Sequence, residues 1–245
     1  MIDIHCHILP NVDDGSKSIN ETRDLLNKAK SEGISDVIIT PHFSKPDNYT
    51  SKADILKTKF NELNNNCLDI GVNLYLGNEL MIDKNLDELL TNSEVLSLNN
   101  SKYVLVEFPF GGYKREYDDY LLNIALSGYK IIIAHPERYK WVIEEPDLYI
   151  DKFINDGYYI QCNSSFIHNT SQKKFVFNLI ENQKIHFIAS DGHNMFRPIS
   201  LKESYELISK RFDEDISKVL FMENPRRLLD NENIINIKKV KRHLF

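Results

Sequence analysis

Short apolar runs alternate with helix-like runs along most of the chain, and this alternation limits the possible folds more than any other feature. The runs predict seven strands, at 1–7, 34–40, 72–79, 103–108, 130–136, 158–163 and 184–190. Helices are predicted between them, near 18–33, 51–66, 84–91, 115–127, 146–156 and 171–182. Such alternation is typical of an α/β fold with parallel strands, and strands as apolar as IIIA (131–134) are typical of a closed barrel or a doubly wound sheet.

The 245 residues fit one α/β domain, so we expect a single domain over 1–245. The first helix has a signal at each end, because Ser18 and Glu21 form a capping box and Gly33 suits a left-handed stop. The segment near 200–235 is predicted to be helical and to pack outside the sheet.

Each predicted strand ends in side chains that are able to bind a metal ion. They are His5 and His7, His42, Glu79, Glu107, His135, Asn163, and Asp191 with His193. In α/β barrels the loops after the strands build the active site, so these residues should meet at one face. The pairs His5/His7 and Asp191/His193 are spaced by two, which points both members of a strand pair to one side.

Taken singly, several of these residues have an ordinary structural explanation. Glu79 could be a solvated charge, His42 a turn residue, and Asp14 part of an Asp-Gly turn. Cys6 lies between two of the histidines and points away from them, so we expect it to be packed. The regular placement of the whole set at strand ends favours a metal site over these alternatives.

Several short motifs resemble the polymerase and histidinol phosphatase (PHP) superfamily, whose fold is a distorted seven-stranded (βα)7 TIM-like barrel. They are DIHCH (3–7), TPH (40–42), GNE (77–79), EF (107–108), AHPERY (134–139), NSS (163–165) and SDGH (190–193). Within it, HILPNVDDG (7–15), AHPERY and ENPRRLL (223–229) are similar to the bacterial capsule-type tyrosine phosphatases of the CpsB/CapC group. The resemblance implies a metal-dependent enzyme that dephosphorylates the tyrosine-rich tail of a cognate kinase controlling capsular or exopolysaccharide synthesis.

The same resemblance implies three divalent ions. The first is expected at His5, His7, Glu79 and Asp191, the second at Glu79, Glu107 and His135, and the third at Asp14, His42 and His193. Asp13 could be confused with Asp14, and the family pattern favours Asp14, which also counts among the expected catalytic residues.

The chemistry of the residues supports metal-dependent phosphate chemistry. Imidazole and carboxylate ligands without thiolate suit manganese, iron or zinc, and the share of carboxylates favours manganese. Four carboxylates against three divalent ions leave a formal charge of about +2, which attracts a phosphate dianion. Water activated by the ions is the expected nucleophile.

Arg138 and Arg197 are the candidate catalytic arginines, because a guanidinium group matches two phosphate oxygens. The alternatives are an ion pair of Arg138 with Glu137 or Glu144, and a surface charge at Arg197. A phenolate leaves readily, so a tyrosine ester depends little on a general acid. The expected contacts to its ring are Phe43, Phe110 and Tyr113.

A cysteine-dependent phosphatase is excluded by spacing. Such enzymes need Cys-x5-Arg, and the residues six beyond Cys6, Cys67 and Cys162 are Val12, Asn73 and His168. The three cysteines also form no Cys-x-x-Cys pair, so we expect reduced thiols.

The overall charge and the N-terminus limit the partners and the compartment. A net charge of −6 gives no basic excess for nucleic acid, and no signal sequence or apolar span is visible, so we expect a cytoplasmic protein. The basic end INIKKVKRHLF (235–245) is a candidate contact with the inner face of the membrane, beside a membrane-associated kinase; a solvated tail is the simpler alternative.

Three other functions remain open from the sequence. A small-molecule phosphatase of the same superfamily, such as a histidinol-phosphate phosphatase, would share the metal site. An amidohydrolase-like enzyme is disfavoured because no strand ends in lysine, and a non-catalytic kinase-binding module is disfavoured because it would not need the ligand set.

Overall fold

The computed structural model describes residues 1–239, in which nine strands and ten α-helices are present. The strands are β1 (Ile2–Cys6), β2 (Asp36–Ile39), β3 (His42–Phe43), β4 (Asn73–Leu76), β5 (Glu79–Met81), β6 (Tyr103–Glu107), β7 (Lys130–Ala134), β8 (Tyr159–Asn163) and β9 (Phe187–Ala189). All paired strands are parallel. The predicted α/β fold with parallel strands is therefore confirmed.

Helices follow most strands and cover the outside of the sheets. They are α1 (Ile19–Ser31), α2 (Ala53–Cys67), α3 (Leu86–Thr91), α4 (Glu116–Leu126), α5 (Lys140–Glu144), α6 (Pro146–Asn155), α7 (Thr170–Glu181), α8 (Lys202–Arg211), α9 (Glu214–Lys218) and α10 (Asn224–Leu229). Among the described residues, no helix is both long enough and apolar enough to cross a membrane.

The strands form two sheets, ordered β1-β2-β4 and β3-β5-β6-β7-β8-β9. The predicted strand 34–40 corresponds to β2, which ends before Pro41 as expected, but the short strand β3 beyond Pro41 was not predicted. The predicted strand 72–79 is broken at Gly77-Asn78 into β4 and β5. Pro41 has no N–H for a ladder, and a Cβ on Gly77 would lie 2.7 Å from Leu98. The observed three and six strands thus differ from the predicted count of seven.

The two ends of the strand series meet between β1 and β9. Cys6 and Gly192 form a parallel bridge, the His7 N–H donates to the Gly192 carbonyl at 2.7 Å, and the Asp191 N–H donates to the His5 carbonyl at 2.8 Å. A Cβ on Gly192 would lie 2.8 Å from the Ile199 nitrogen, so only glycine permits this approach. The first and last strands therefore bring their following residues together.

Side chains alternate between an inner layer and the helix-facing layer. Tyr103 and Leu105 of β6 belong to the inner apolar cluster, whereas Val104 and Val106 pack in the cluster that contains helix residues. Glu107 continues the row of Tyr103 and Leu105. The apolar interior thus gives way to polar groups at the carboxyl ends of the strands.

The ends of α1 are as predicted. The Ser18 hydroxyl accepts from the Glu21 N–H at 3.2 Å, and Gly33 has φ +81°. The Glu21 carboxylate accepts from the Lys17 N–H at 2.8 Å rather than from the Ser18 N–H, so the second half of the capping box is shifted by one residue.

The helical prediction for 200–235 is wrong at its end, because α10 stops at Leu229 and residues 232–239 are irregular. Asn224 is fully buried and its side-chain amide donates to the carbonyls of His186 and Ile235, at 3.0 and 2.9 Å. The Ile235 N–H donates back to the Asn224 side chain at 3.0 Å. These hydrogen bonds hold the segment beside Asn224 and His186; residues 240–245, with most of the basic tail, lie outside the described residues.

Candidate metal centre

Four ligand atoms from β1, β5 and the end of β9 meet at the centre of the strand ends. His5 Nε2 lies 3.1 Å from His7 Nε2, 3.1 Å from Glu79 Oε2 and 3.5 Å from Asp191 Oδ1. His7 Nε2 lies 3.1 Å from Glu79 Oε2 and 3.4 Å from Asp191 Oδ1. All four side chains are buried.

The two imidazoles are held so that their Nε2 lone pairs face this cluster. The His7 Nδ1–H donates to Asp13 Oδ2 at 2.9 Å, and the His5 Nδ1–H donates to Gln161 Oε1 at 3.0 Å. These hydrogen bonds select the tautomer that leaves Nε2 unprotonated. Two imidazole Nε2 atoms and two carboxylate oxygens then face one another at 3.1 to 3.5 Å, an arrangement that suits a bound cation.

Two amides on β8 connect two members of this cluster. The side-chain N–H of Gln161 donates to Asn163 Oδ1 at 3.0 Å, and the side-chain N–H of Asn163 donates to Asp191 Oδ2 at 2.7 Å. The backbone N–H of Asn163 donates to the buried Glu137 carboxylate at 2.7 Å. We call Gln161 and Asn163 the amide relay, because they fix His5 and Asp191 together.

A second group gathers around both oxygens of Glu79. His135 Nε2 lies 2.7 Å from Glu79 Oε1 and 3.9 Å from Glu107 Oε2. His42 Nδ1 lies 3.1 Å from Glu79 Oε2 and 3.0 Å from Glu107 Oε1. The structure thus brings together the expected Glu79, Glu107 and His135, and adds one nitrogen of His42 to them.

The third group lies at the open side of the centre. Asp14 Oδ1 lies 3.6 Å from both His42 Nε2 and His193 Nε2, and His7 completes the group. The His193 imidazole, followed by those of His42 and His7, holds the pKa of Asp14 well below its usual range. Asp14 and Asp13 are clearly distinguished, since Asp14 faces this group and Asp13 orients His7.

The geometry of these groups fits divalent ions. An ion with bonds of about 2.1 Å holds neighbouring ligand atoms about 3.0 Å apart in octahedral and about 3.4 Å apart in tetrahedral coordination. The first cluster spans 3.1 to 3.5 Å. Glu79 Oε2 and His42 Nδ1 are also buried without a hydrogen-bond partner, which is costly unless a cation is bound between them.

Two residues of the centre have strained backbones. His135 has φ +35° and Asp191 has φ +53°, in the left-handed region that non-glycine residues seldom occupy. Such strain is concentrated at functional sites, where the surrounding structure over-determines the conformation.

Both candidate arginines bind one oxygen of Asp191. Arg138 Nη1 donates to Asp191 Oδ2 at 3.0 Å, and Arg197 Nη2 donates to the same oxygen at 2.8 Å. Among the described residues, the ion pair of Arg138 is with Asp191 and not with Glu137 or Glu144. Asp191 therefore joins the metal-ligand cluster, through Oδ1, to both guanidinium groups, through Oδ2.

A cavity of about 380 Å³ opens above these groups. Phe110 lies in its wall, half exposed, with the Arg138 guanidinium carbon 5.1 Å from the ring centre. Phe43 and Tyr113, expected near a substrate ring, do not line this cavity; Tyr113 packs against Trp141 and Tyr149.

Sequence reasoning missed three residues of the site. Tyr49 lines the cavity with its ring nearly parallel to His42, at 13°, and no motif indicated it. The orienting roles of Asp13 and Gln161 were also missed; their spacing from His7 and Asn163 was the available signal. All three cysteines are free and buried, and burial raises the pKa of Cys6 and Cys162.

The family model for capsular polysaccharide synthesis, CpsB/CapC, matches residues 1–230. The chain belongs to the CpsB/CapC family. A CapC protein of Staphylococcus aureus, named a putative tyrosine-protein phosphatase, is 36% identical over 241 residues, covering 96% of this chain and 93% of the relative.

Solved structures place this family member among parallel α/β barrels. A structure from the pair YwqE of Bacillus subtilis and CpsB of Streptococcus pneumoniae, described as metal-dependent tyrosine phosphatases, matches with TM-score 0.91 and 32% identity, covering 98% of each chain. The phosphotriesterase homology protein of Escherichia coli matches with TM-score 0.59 at 12% identity, covering 93% of this chain and 98% of its own. That second likeness concerns the fold alone.

Proposed function

We propose that this protein is a metal-dependent protein-tyrosine phosphatase that acts on the phosphotyrosine tail of a cognate bacterial tyrosine kinase and thereby regulates capsular or exopolysaccharide synthesis. Membership in the CpsB/CapC family and the named activities of its relatives support the reaction. The kinase substrate and the regulatory role follow from the family resemblance of the motifs.

The observation that carries the proposal is the cluster of four acceptor atoms at His5, His7, Glu79 and Asp191. Asp13 and Gln161 accept hydrogen bonds from the Nδ1 atoms of His7 and His5, at 2.9 and 3.0 Å. The Nε2 atoms of both imidazoles are thereby left to bind an ion. A folded protein that held these four groups together without a cation would lose stability through their mutual repulsion and desolvation.

Three divalent ions would be held in the proposed arrangement, and the ligand types favour manganese over iron and zinc. His5, His7, Glu79 and Asp191 would hold the first, Glu79, Glu107 and His135 the second, and Asp14, His42 and His193 the third. When bound, such ions supply positive charge and lower the pKa of water toward neutrality.

Arg138 and Arg197 are positioned to bind the phosphoryl group. Each donates one N–H to Asp191 Oδ2, and an arginine has five N–H donors, so further donors remain for phosphate oxygens. Their side chains are about one-third and one-half exposed, which leaves them accessible from the cavity. Charge that develops on the phosphoryl oxygens is thereby stabilised by preorganised donors.

The cavity walls suit an aryl ester. Phe110 and Tyr49 line the cavity beside Arg138 and His42, so a phenyl ring attached to the bound phosphate would lie against aromatic surface. A phenolate, with a pKa of about 10, leaves without strong assistance from an acid.

The buried cysteines take no part, because burial raises the pKa of Cys6 and Cys162 and all three thiols are enclosed.

The catalytic unit proposed here is a single domain over 1–245 with a seven-stranded barrel. The nine segments reduce to seven barrel strands if β2 with β3, and β4 with β5, each count as one interrupted strand, since only two residues separate the members of each pair. We place the protein in the cytoplasm, beside a kinase at the inner face of the membrane.

The deciding experiment compares hydrolysis of a phosphotyrosine peptide with that of histidinol phosphate, each with manganese and with a chelator. We expect manganese-dependent turnover of the peptide that greatly exceeds turnover of histidinol phosphate. A preference for histidinol phosphate would replace the proposal with a small-molecule phosphatase, and full activity in chelator would refute the metal dependence.

A further inference from the structure

A fully exposed aromatic ring stands beside the catalytic cavity. Phe196 is 97% exposed and its neighbour Met195 is 51% exposed, although both are apolar. Arg197 follows directly and binds Asp191. Together the two side chains place apolar surface at the rim of the cavity, where a bound molecule could cover it.

The turn at 194–197 is held by hydrogen bonds that fix where this ring stands. The Asn194 side-chain oxygen accepts from the N–H groups of Phe196 and Arg197, at 3.0 and 3.1 Å. The N–H groups of His193 and Asn194 donate to the Arg197 carbonyl at 2.7 and 3.2 Å. The chain therefore presents Phe196 outward on a short structured turn that is anchored to His193.

A groove of about 200 Å³ runs from this turn to the segment Ser164–His168. Phe196 and Ile167 contribute apolar walls, and Ser165 and His168 contribute polar ones. Arg197 lines both this groove and the catalytic cavity, so the two are adjacent and meet at its side chain. A chain bound by its phosphate at Arg197 would pass directly into the groove.

We infer that the groove between Phe196 and Ile167 binds the peptide segment next to the phosphotyrosine, and that Phe196 contacts an apolar side chain of that segment. This inference rests on the proposed function. A small aryl phosphate ends within the catalytic cavity, whereas a peptide extends beyond it. The groove thus distinguishes a protein substrate from a small one.

The test uses two phosphotyrosine peptides that differ only in the residues flanking the phosphotyrosine, leucine in one and glycine in the other, together with p-nitrophenyl phosphate. The wild type should show the lower KM for the leucine peptide. Phe196→Ala should raise that KM about tenfold, the scale of one truncated interface anchor, with little change in kcat. Phe196→Leu should keep a KM for the leucine peptide close to that of the wild type. Turnover of p-nitrophenyl phosphate should be unchanged in both variants.

Leu126→Ala is the matched control, because Leu126 is 76% exposed at the end of α4, which leads into the start of β7 rather than to the strand ends. It should leave all three substrates unaffected. Equal KM values for the leucine peptide in Phe196→Ala and wild type, with normal turnover, would overturn the groove assignment alone. Absence of wild-type turnover on every phosphotyrosine substrate would instead overturn the proposed function.

Discussion

The two oxygens of Asp191 face different partners. Oδ1 lies with the imidazoles of His5 and His7, while Oδ2 accepts from Asn163, Arg138 and Arg197. The carboxylate therefore couples the position of both guanidinium groups to the ligand cluster. In the proposed function, a substrate phosphate bound at the arginines would thus be held in register with the candidate metal ligands.

The arginines should contribute to turnover more than to folding. Arg138→Ala and Arg197→Ala are each expected to lower kcat for a phosphotyrosine peptide by roughly 10²–10³, the scale for loss of one preorganised donor. Replacement of either arginine by lysine keeps the charge but removes the planar guanidinium, so these variants should recover only part of the lost kcat. Changes below twofold, measured by steady-state kinetics, would assign both arginines to structural roles.

The amide relay should control metal affinity. Gln161→Leu removes the acceptor that fixes the His5 tautomer and should weaken manganese binding by about 10- to 100-fold, the range for such orienting groups. Calorimetric titration of manganese into metal-free protein measures this affinity without an activity assay. Asn169→Ala is the control, since that amide caps α7 and should lower stability with unchanged affinity; equal affinity in Gln161→Leu would contradict the role of the relay.

At the scale of elements, the turn after β1 depends on a close approach. A Cβ on Gly15 would lie 1.8 Å from the His7 carbonyl oxygen, whereas a Cβ on Gly111 would meet nothing within 4 Å. Gly15→Ala should therefore displace Asp13 and Asp14, weaken metal binding and lower the free energy of unfolding by roughly 1–3 kcal/mol. Gly111→Ala should change neither quantity; chemical denaturation of both variants provides the comparison, and equal stabilities would count against this packing.

Local signals predicted the elements well where local chemistry decides them. Ser18 and Gly33 mark the ends of α1 because a cap and a left-handed residue act within one turn. The short strand β3 beyond Pro41 and the break at Gly77 went unpredicted, because they depend on the neighbouring strand β5 and on Leu98, which are distant in sequence. The candidate ligands were predictable from strand ends, but the Gln161 contact with His5 required a partner 156 residues away.

His186, which contacts Asn236 of the C-terminal segment, makes a pH-dependent contribution to stability. His186 accepts from the Ile160 N–H and contacts Asn236 and the Tyr159 ring, and burial lowers its pKa to about 4. Because the unfolded chain binds a proton near pH 6.5 and the folded chain does not, this contribution is complete above pH 6.5 and is lost as the pH falls toward 4.

His186→Gln should reduce that pH dependence. The wild type should lose up to about 3 kcal/mol of unfolding free energy from this group between pH 6.5 and 4, and the variant should lose correspondingly less. Urea denaturation at several pH values measures the difference between the two proteins. Parallel pH profiles would show that His186 is not held neutral in the folded state.

At the scale of the whole molecule, the candidate metal centre lies where the two ends of the strand series meet. The bridge between Cys6 and Gly192 brings the residues after β9 beside β1, so that candidate ligands from positions 5 to 193 lie together. Ions that bind the folded protein and not the unfolded chain should therefore raise its stability by mass action.

The most direct test is the effect of single ligand replacements on phosphotyrosine turnover in manganese-loaded protein. Glu107→Ala and His135→Ala should abolish hydrolysis of a phosphotyrosine peptide, because each removes a group beside Glu79. Circular dichroism should show both variants folded, which separates loss of chemistry from loss of structure. Wild-type turnover by either folded variant would contradict the assignment of the clustered strand-end residues as the catalytic metal centre.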